Sequence, residues 1–321
     1  MYEGKQNLDL HNGSNNCATF MYIVGFHHDY GYQVLLSVVF SAAYVQVIVV
    51  NLFIITLGCS DPHLQKPMFF FLSNLSFVDL CFSSVTMPWT TYSFLTNNRI
   101  VSLQACVAQM YGFLSFTSTE FLLLSAMAYD RYVAVCDPLH YLLSMNRRIC
   151  VLLVVSSWLV GFLDTAPHAW FALVACYCGS NQINHFFCDL TALWKLSCSE
   201  TELIETITYV EGIFLGFGPF LLTLTSYVFI VNTILKIQSL KGRLKAFSTC
   251  SSHLTVVIIF YGTTLSMYMR PTSMFSLEDN KMITLIYVMV IPLLNPIIYS
   301  LRSKDLKEAL WRTLQARSFR Q

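Results

Sequence analysis

Charged residues are scarce in this chain, and their scarcity excludes most soluble folds. Only 12% of its 321 residues are charged, against roughly a quarter in soluble globular proteins. Hydrophobic residues make up 55%, and the mean hydropathy is +0.56. The formal net charge of +1 leaves no strongly basic surface, so we expect no nucleic-acid partner. The composition predicts a protein that crosses the lipid bilayer several times.

Other patterns are also missing, and each absence argues against a class of protein. No run alternates between apolar and polar residues as the strands of a membrane β-barrel do. No cluster of metal ligands and no nucleophile beside a base stands out, so we expect no enzyme. No internal repeat is visible and charges within the apolar runs are few, which disfavours the main alternative, a membrane transporter or channel.

Long apolar runs, in contrast, are plentiful. A helix needs about 20 apolar residues to cross the hydrocarbon, and only helices satisfy their own backbone groups over such continuous runs. We therefore expect an all-α membrane protein, a seven-transmembrane helix bundle. The first run would also act as an uncleaved signal anchor. The seven runs cover residues 32–57, 67–95, 103–135, 149–173, 204–235, 246–269 and 282–301.

The basic residues predict the orientation of the bundle. With the N-terminus outside, 14 of the 19 lysines and arginines lie on the cytoplasmic side. Residues 1–31 are then an extracellular N-terminal segment, which contains a glycosylation acceptor at Asn12. Residues 32–301 form the seven-transmembrane domain. Residues 302–321 form a cytoplasmic tail, in which leucines four residues apart predict a short amphipathic helix.

The third run ends in a charged stretch, Met127–Tyr141, which reads Met-Ala-Tyr-Asp-Arg-Tyr-Val-Ala-Val-Cys-Asp-Pro-Leu-His-Tyr. Charges at the end of a membrane helix need water, headgroups or each other. Asp130 and Arg131 are therefore suited to a latch at the membrane face. The simpler alternative is a helix end with an incidental charge pair.

Five motifs in chain order make the sequence resemble the odorant receptors, a branch of the rhodopsin-like G-protein-coupled receptors. The resemblance covers residues 23–314, and the form Phe-Ser-Thr-Cys-Ser-Ser-His is similar to the class II, tetrapod-type branch. It implies a multi-pass plasma-membrane receptor for a small, mostly apolar odorant. It also implies an olfactory-type stimulatory G protein that raises cyclic AMP. The motifs are Pro67–Cys81, Met127–Tyr141, Ser226-Tyr227, Lys245–Leu254 and Pro292–Arg302.

Four of the eleven cysteines fall in the segment 174–203, called the lid loop here. The resemblance implies one disulfide between Cys106 and Cys188, which ties this loop to the third helix, and another between Cys178 and Cys198. Two further outer cysteines would be unpaired, or would pair with each other or with another chain. These are Cys17 and Cys176.

Two carboxylates, Asp79 and Glu120, are expected at mid-membrane depth, about 18 and 21 Å along their helices. Two neighbouring carboxylates repel unless they share a proton or a cation. The resemblance favours a sodium ion that stabilises the inactive state, and this is the only cofactor we expect. The alternative is an ordinary hydrogen-bonded pair.

The resemblance also implies a switch that couples to the G protein. Asp130 would hold Arg131 at rest, and Tyr227 would receive it when the sixth helix moves outward. His253 would latch the inactive state, or would simply fill a packed position. The full set is Asp130, Arg131, Tyr132, Tyr227, Lys245, His253, Asn295, Pro296 and Tyr299.

The ligand pocket is expected in the outer half of the bundle, among helices three, five and six. Plain helix packing is the alternative for each member. Phe113 stands where amine receptors carry a carboxylate. Glu211 replaces the usual small residue, and would either face the pocket or pair with a basic or hydroxyl group. The expected lining is Met110, Phe113, Leu114, Thr117, Ser118, Glu211, Leu215, Tyr261, Thr264, Leu265, Tyr268, Leu285 and Val288.

Overall fold

The computed structural model describes residues 17–25, 30–96, 98–268, 277–302, 306–309 and 311–312. Within these ranges, side chains are described except at 30, 245, 248–249, 265–268, 277–280 and 300–302.

Helices account for most of the described chain, and each predicted apolar run coincides with helix. The expectation of an all-α seven-helix bundle is confirmed. The fifth span is composite, because a π-helical turn, Gly212–Phe217, joins α7 to α8. The helices are α1 (Tyr30–Ser60), α2 (Pro67–Thr96), α3 (Leu103–Cys136), α4 (Tyr141–Ser144), α5 (Arg147–Val174), α6 (Leu190–Leu196), α7 (Glu202–Glu211), α8 (Gly218–Lys236), α9 (Leu240–Tyr268) and α10 (Leu277–Arg302).

Five of the described spans are apolar enough to cross a membrane by length and composition alone. They comprise α1, α2, α5, the composite of α7 and α8, and the segment Lys281–Tyr299 of α10. The remaining two, α3 and α9, are 34 and 29 residues long but more polar. In α3 the polar residues are tolerated because this helix is central and packs against α2, α5, α8 and α9.

Outer helices show the opposite pattern, with apolar side chains facing away from the bundle. Val38, Val45 and Leu52 of α1 are each about half exposed or more and recur every seven residues. This spacing places them on one stripe of the helix, where they would contact lipid acyl chains.

The contact between α3 and α5 is unusually close at Gly161. A Cβ atom there would lie 2.3 Å from Oγ1 of Thr119 and 2.8 Å from the carbonyl oxygen of Ser115. Only glycine lets the two backbones approach so closely, and a hydrogen bond of 2.5 Å between Ser115 and Thr165 joins the same surfaces. This contact fixes the rotation of α5 about α3.

A small β-sheet covers one end of the bundle, called the sheet end below. Its strands are β1 (Phe20–Ile23), β2 (Ile100–Ser102) and β3 (Gln182–Ile183), in the order β2-β1-β3. The central strand β1 is antiparallel to β2 and parallel to β3. Its alternate residues Met21 and Ile23 are buried toward the helices. No pattern in the sequence indicates this sheet.

Three disulfides hold the same end together. Cys106–Cys188 and Cys178–Cys198 have the pairing that the resemblance implies. Cys17 and Cys176 are not unpaired, because they form a third disulfide across 159 residues. The resemblance had implied that these two cysteines stay unpaired. Of the two alternatives left open, pairing with each other or with another chain, the structure shows the first. The N-terminal strand is thereby tied to the lid loop.

The opposite end, called the Arg131 end, carries the predicted amphipathic helix. Among its described residues, Leu306 and Ala309 are buried while Lys307 and Glu308 are exposed. Nη2 of Arg312 lies 2.7 Å from Oδ2 of Asp61, in the turn after α1. Hydrogen bonds from Arg312 and from the backbone of His63 lower the pKa of Asp61 to about 2. The ion pair therefore persists at any physiological pH.

Candidate functional site

Several of the expected pocket residues, Phe113, Tyr261, Leu285 and Val288, belong to one buried apolar cluster of the bundle. Phe113 is central, and the ring of Phe187 from the lid loop lies 4.9 Å from it, centroid to centroid. Phe82 of α2 lies at 5.2 Å and Tyr287 of α10 at 6.3 Å. Buried members of the predicted set are Met110, Phe113, Thr117, Tyr261, Thr264, Leu285 and Val288, and partly buried ones are Leu114, Ser118 and Leu215.

Two hydroxyl groups of this set are engaged within their own helices. Thr117 donates to the carbonyl oxygen of Phe113, and Thr264 donates to that of Phe260. The environment around Phe113 is therefore dominated by aromatic and aliphatic surface. Such a surface favours an apolar ligand with few polar groups.

Ser118 is turned away from Phe113, toward α5. Its hydroxyl group interacts with the carboxyl group of Asp164. The sequence placed Ser118 beside Thr117 on one pocket face, but successive helical residues point about 100° apart. The rotation of α3, fixed by the Gly161 contact, decides which of the two faces α5.

Glu211 also faces α5. Its Oε2 lies 2.9 Å from Nε2 of His168, and Thr208 Oγ1 lies 3.1 Å from the same nitrogen. Of the two roles expected for Glu211, the structure shows the contact with a basic group, His168. Sequence reasoning missed Asp164 and His168, although a charged residue and a histidine four residues apart in an apolar run were a usable signal.

The lid loop presses two aromatic rings onto the bundle. Phe186 and Phe187 are buried, and the ring of His185 lies 4.6 Å from each of theirs. Burial lowers the pKa of His185 to about 4, with Lys281 adding to the effect and Asp189 opposing it. His185 is therefore neutral near pH 7. Lys281 Nζ donates to the carbonyl oxygen of Gly25, which connects α10 to the N-terminal segment.

The two mid-membrane carboxylates meet around one amide group. Nδ2 of Asn295 lies 2.9 Å from Oε1 of Glu120 and 3.2 and 3.3 Å from the oxygens of Asp79. All three side chains are at most 2% exposed. Within the described chain, no lysine or arginine pairs with either carboxylate. This cluster of carboxylate oxygens fits a small hard cation, and it equally fits a shared proton.

At the Arg131 end, the acid–base pair is joined by a third residue. Arg131 donates through Nε to Oδ2 of Asp130 at 2.9 Å, and through Nη2 to the same oxygen. Tyr141 of α4 donates to Oδ1 of Asp130 at 2.8 Å. Burial and the adjacent Asp130 raise the pKa of Tyr141, which stays a donor. Tyr141 is the last residue of the charged stretch Met127–Tyr141. Its position in the sequence did not indicate that it contacts Asp130.

Tyr227 is bonded to His253 rather than to Arg131. Its hydroxyl oxygen lies 2.6 Å from Nδ1 of His253, and the two rings stack. His253 is fully buried, so the contact joins α8 to α9 deep in the bundle. Such a pairing is compatible with the latch expected for His253.

The remaining switch residues lie on α10 and α3. Pro292 and Pro296 both lie inside α10, where they permit a kink. The carbonyl oxygen of Pro292 accepts a hydrogen bond from the side chain of Asn51 on α1. Tyr299 is buried. Tyr132 packs between Tyr129 and Phe229. Predicted positions outside the described residues or side chains are Asn12, Lys245, Leu265 and Tyr268.

Comparisons with known proteins agree with one another. A family model described as "Olfactory receptor" matches residues 40–317. The chain is 45% identical over 303 residues to "Olfactory receptor-like protein OLF1" of Canis lupus familiaris, covering 94% of this chain and 97% of that one. It is 44% identical over 300 residues to "Olfactory receptor 5I1" of Homo sapiens, covering 94% and 96%.

Among solved structures, the crystal structure of squid rhodopsin matches with a TM-score of 0.68. The match covers 92% of this chain and 90% of the rhodopsin chain at 18% identity. At that identity the match shows the fold alone, which is the seven-helix bundle described above.

Proposed function

Since the chain belongs to the olfactory receptor family, whose members are signalling receptors and not enzymes, we propose the following function. It binds a small, mostly apolar organic odorant among α3, α8, α9 and α10. Binding favours the state in which α9 moves outward, and an olfactory-type stimulatory G protein then raises cyclic AMP. The ligand can shift this equilibrium only by its differential affinity for the two states.

One observation carries the proposal: α3 connects the two ends of the bundle. Near one end it presents Phe113 to Phe187 of the lid loop. At the other end it holds Arg131 against Asp130. The two residues are 18 positions apart, about 27 Å along a helix. A displacement of α3 or its neighbours by a ligand can therefore reach Arg131.

The proposal includes the orientation of the chain. The sheet end faces outward and the Arg131 end faces the cytoplasm, as the excess of basic residues at that end supports. The three disulfides at the sheet end are consistent with an oxidising compartment. Asn12 would carry a glycan on the outer side. Glycosidase treatment should therefore lower the apparent mass of the receptor on a gel, and Asn12→Gln should remove this change.

The carboxylate cluster belongs to the same proposal. Asp79 and Glu120 would hold a sodium ion through their carboxylate oxygens. The ion would neutralise the buried negative charge and stabilise the resting state.

The decisive experiment expresses the full chain with the olfactory-type G protein and screens a diverse odorant panel for a cyclic AMP rise. Arg131→Ala should abolish the response at equal surface expression. Arg147→Ala, an exposed arginine at the start of α5, serves as the matched control and should respond normally. Ligand uptake without a cyclic AMP rise would instead indicate a transporter.

A further inference from the structure

Polar side chains from four helices meet at the sheet end of α5, within otherwise apolar surroundings. The group is centred on His168, whose side chain is only 4% exposed. Asp164 lies one turn before His168 on α5 and interacts electrostatically with Glu211. The ring of Trp194 on α6 packs edge-on against that of His168, with centroids 6.1 Å apart. The members are Ser118, Asp164, His168, Trp194, Thr208 and Glu211, called the His168 cluster here.

The contacts of His168 determine which ring nitrogen carries the proton. Thr208 donates its hydroxyl hydrogen to the carbonyl oxygen of Ile204, so its oxygen is left to accept. Glu211 also offers an acceptor oxygen. Because both neighbours of Nε2 accept, Nε2 carries the hydrogen and donates to them. In the neutral ring, Nδ1 is then an acceptor.

Two polar atoms in this cluster have no partner among the described residues. One is Nδ1 of His168, an acceptor, and the other is Nε1 of Trp194, a donor. Both atoms are buried. Buried polar groups without a hydrogen bond are uncommon, and they frequently mark a place where another molecule binds. The two atoms lie on rings that pack against each other.

We propose that the His168 cluster binds the hydroxyl group of an alcohol or phenol. A hydroxyl group donates one hydrogen bond and accepts others, so it satisfies Nδ1 of His168 and Nε1 of Trp194 together. An ether only accepts and an ammonium group only donates, so each leaves one of the two nitrogens unpaired. This inference names the ligand class for the proposed receptor and rests on that function.

The surroundings restrict the rest of the ligand. Trp194 packs against a cluster of buried apolar residues beneath the lid loop. That cluster includes Ala172 and Leu193, which offer only hydrocarbon surface. Glu211 positions His168 through Nε2, and does not itself need to reach the hydroxyl group. The ligand is therefore an aliphatic or aromatic hydroxyl compound, distinguished from its methyl ether by the two nitrogens.

The test measures binding to the purified full-length receptor in lipid nanodiscs, by the rise in its melting temperature. Probes are straight-chain alcohols from pentanol to decanol, 4-alkylphenols, and the methyl ether and amine of each skeleton. We expect at least one alcohol or phenol to stabilise the receptor while its ether and amine stabilise it far less. Trp194→Phe should weaken the binding of that alcohol about tenfold, the effect of one hydrogen bond.

Trp170→Phe is the matched control, since Trp170 is exposed on the same end of α5 and should leave binding unchanged. His168→Asn provides a second variant and should also weaken alcohol binding, without affecting an ether. Equal binding of alcohol and ether, no binding by any alcohol or phenol, or unaltered alcohol binding in folded Trp194→Phe would overturn the inference. Because this assay contains no G protein, a receptor that binds alcohols but never raises cyclic AMP would refute the signalling proposal alone.

Discussion

Asp130 illustrates how much of a residue's role depends on burial at the end of a helix. Its carboxylate is fully buried and accepts from Arg131 and from Tyr141. In sequence the pair looks like two adjacent surface charges. In the structure, α4 folds back so that Tyr141 covers the second carboxylate oxygen, and Arg131 is held against the side of α3.

Asp130→Asn should raise basal signalling. The substitution removes a charge-assisted hydrogen bond worth about 1.5–3 kcal/mol, enough to raise a small active fraction about tenfold or more. Cyclic AMP without ligand, normalised to surface expression, measures this. Asp137→Asn is the control, because the carboxylate of Asp137 is exposed and pairs with His140. Normal or lower basal activity in Asp130→Asn would contradict the proposed latch.

Asp79→Asn tests the sodium proposal. In the unmodified receptor, replacing external and internal choline by sodium should lower basal cyclic AMP, because the ion stabilises the resting state. The substitution removes one of two carboxylates around Asn295 and should abolish this sodium dependence. Ser83→Ala, a buried polar change one turn further along α2, should retain it. If basal cyclic AMP in the unmodified receptor does not depend on sodium, the sodium proposal is wrong. A proton shared between Asp79 and Glu120 would then explain how the two carboxylates are tolerated.

Among the elements, the pairing of α3 with α5 has the least tolerance for change. Gly161→Ala would place a methyl group 2.8 Å from the carbonyl oxygen of Ser115 and closer still to Thr119. Overpacking of this kind costs about 1–3 kcal/mol, so we expect a lower melting temperature and reduced surface expression.

The control for this change is Gly216→Ala in the π-helical turn, where a Cβ would meet no atom within 4 Å. The two variants add the same methyl group and differ only in what it meets. If both lower the melting temperature equally, the close contact would not be the cause, because alanine is the better helix former at either position.

The helices were predictable from sequence, whereas much of the candidate site was not. Long apolar runs decide where spans lie, because in lipid only helices and closed barrels satisfy their backbone groups, and continuous runs of this length form helices. The side that each helix turns toward its neighbours depends on contacts between distant residues. Thr117 and Ser118 are adjacent, yet one bonds within α3 and the other reaches Asp164. The partner of Glu211 was hidden similarly, since His168 lies 43 positions earlier.

The small sheet was unpredictable for a related reason. Its strands have four, three and two residues, too short for alternation to be recognised. They pair across three separate parts of the chain, so the signal exists only after the helices have assembled.

At the scale of the whole molecule, the disulfide Cys17–Cys176 ties the N-terminal strand to the lid loop. Replacing either cysteine by serine, Cys17→Ser or Cys176→Ser, should lower the stability of the receptor. The expected loss is about 2–4 kcal/mol, because the disulfide restricts the unfolded chain. The double variant should be no less stable than either single one, because both remove the same bond. Melting temperatures in nanodiscs measure this, and additive losses would show that the two cysteines act separately.

The placement of β1 between β2 and β3 has a consequence for biosynthesis. β1 occupies residues 20–23, but its partner β3 is made only at residues 182–183, after α5. During synthesis β1 can pair with β2 first, but its edge toward β3 has no partner until more than half of the chain has been translated. Epitope tags fused directly before β1 would be expected to interfere with expression more than tags at the other end of the chain.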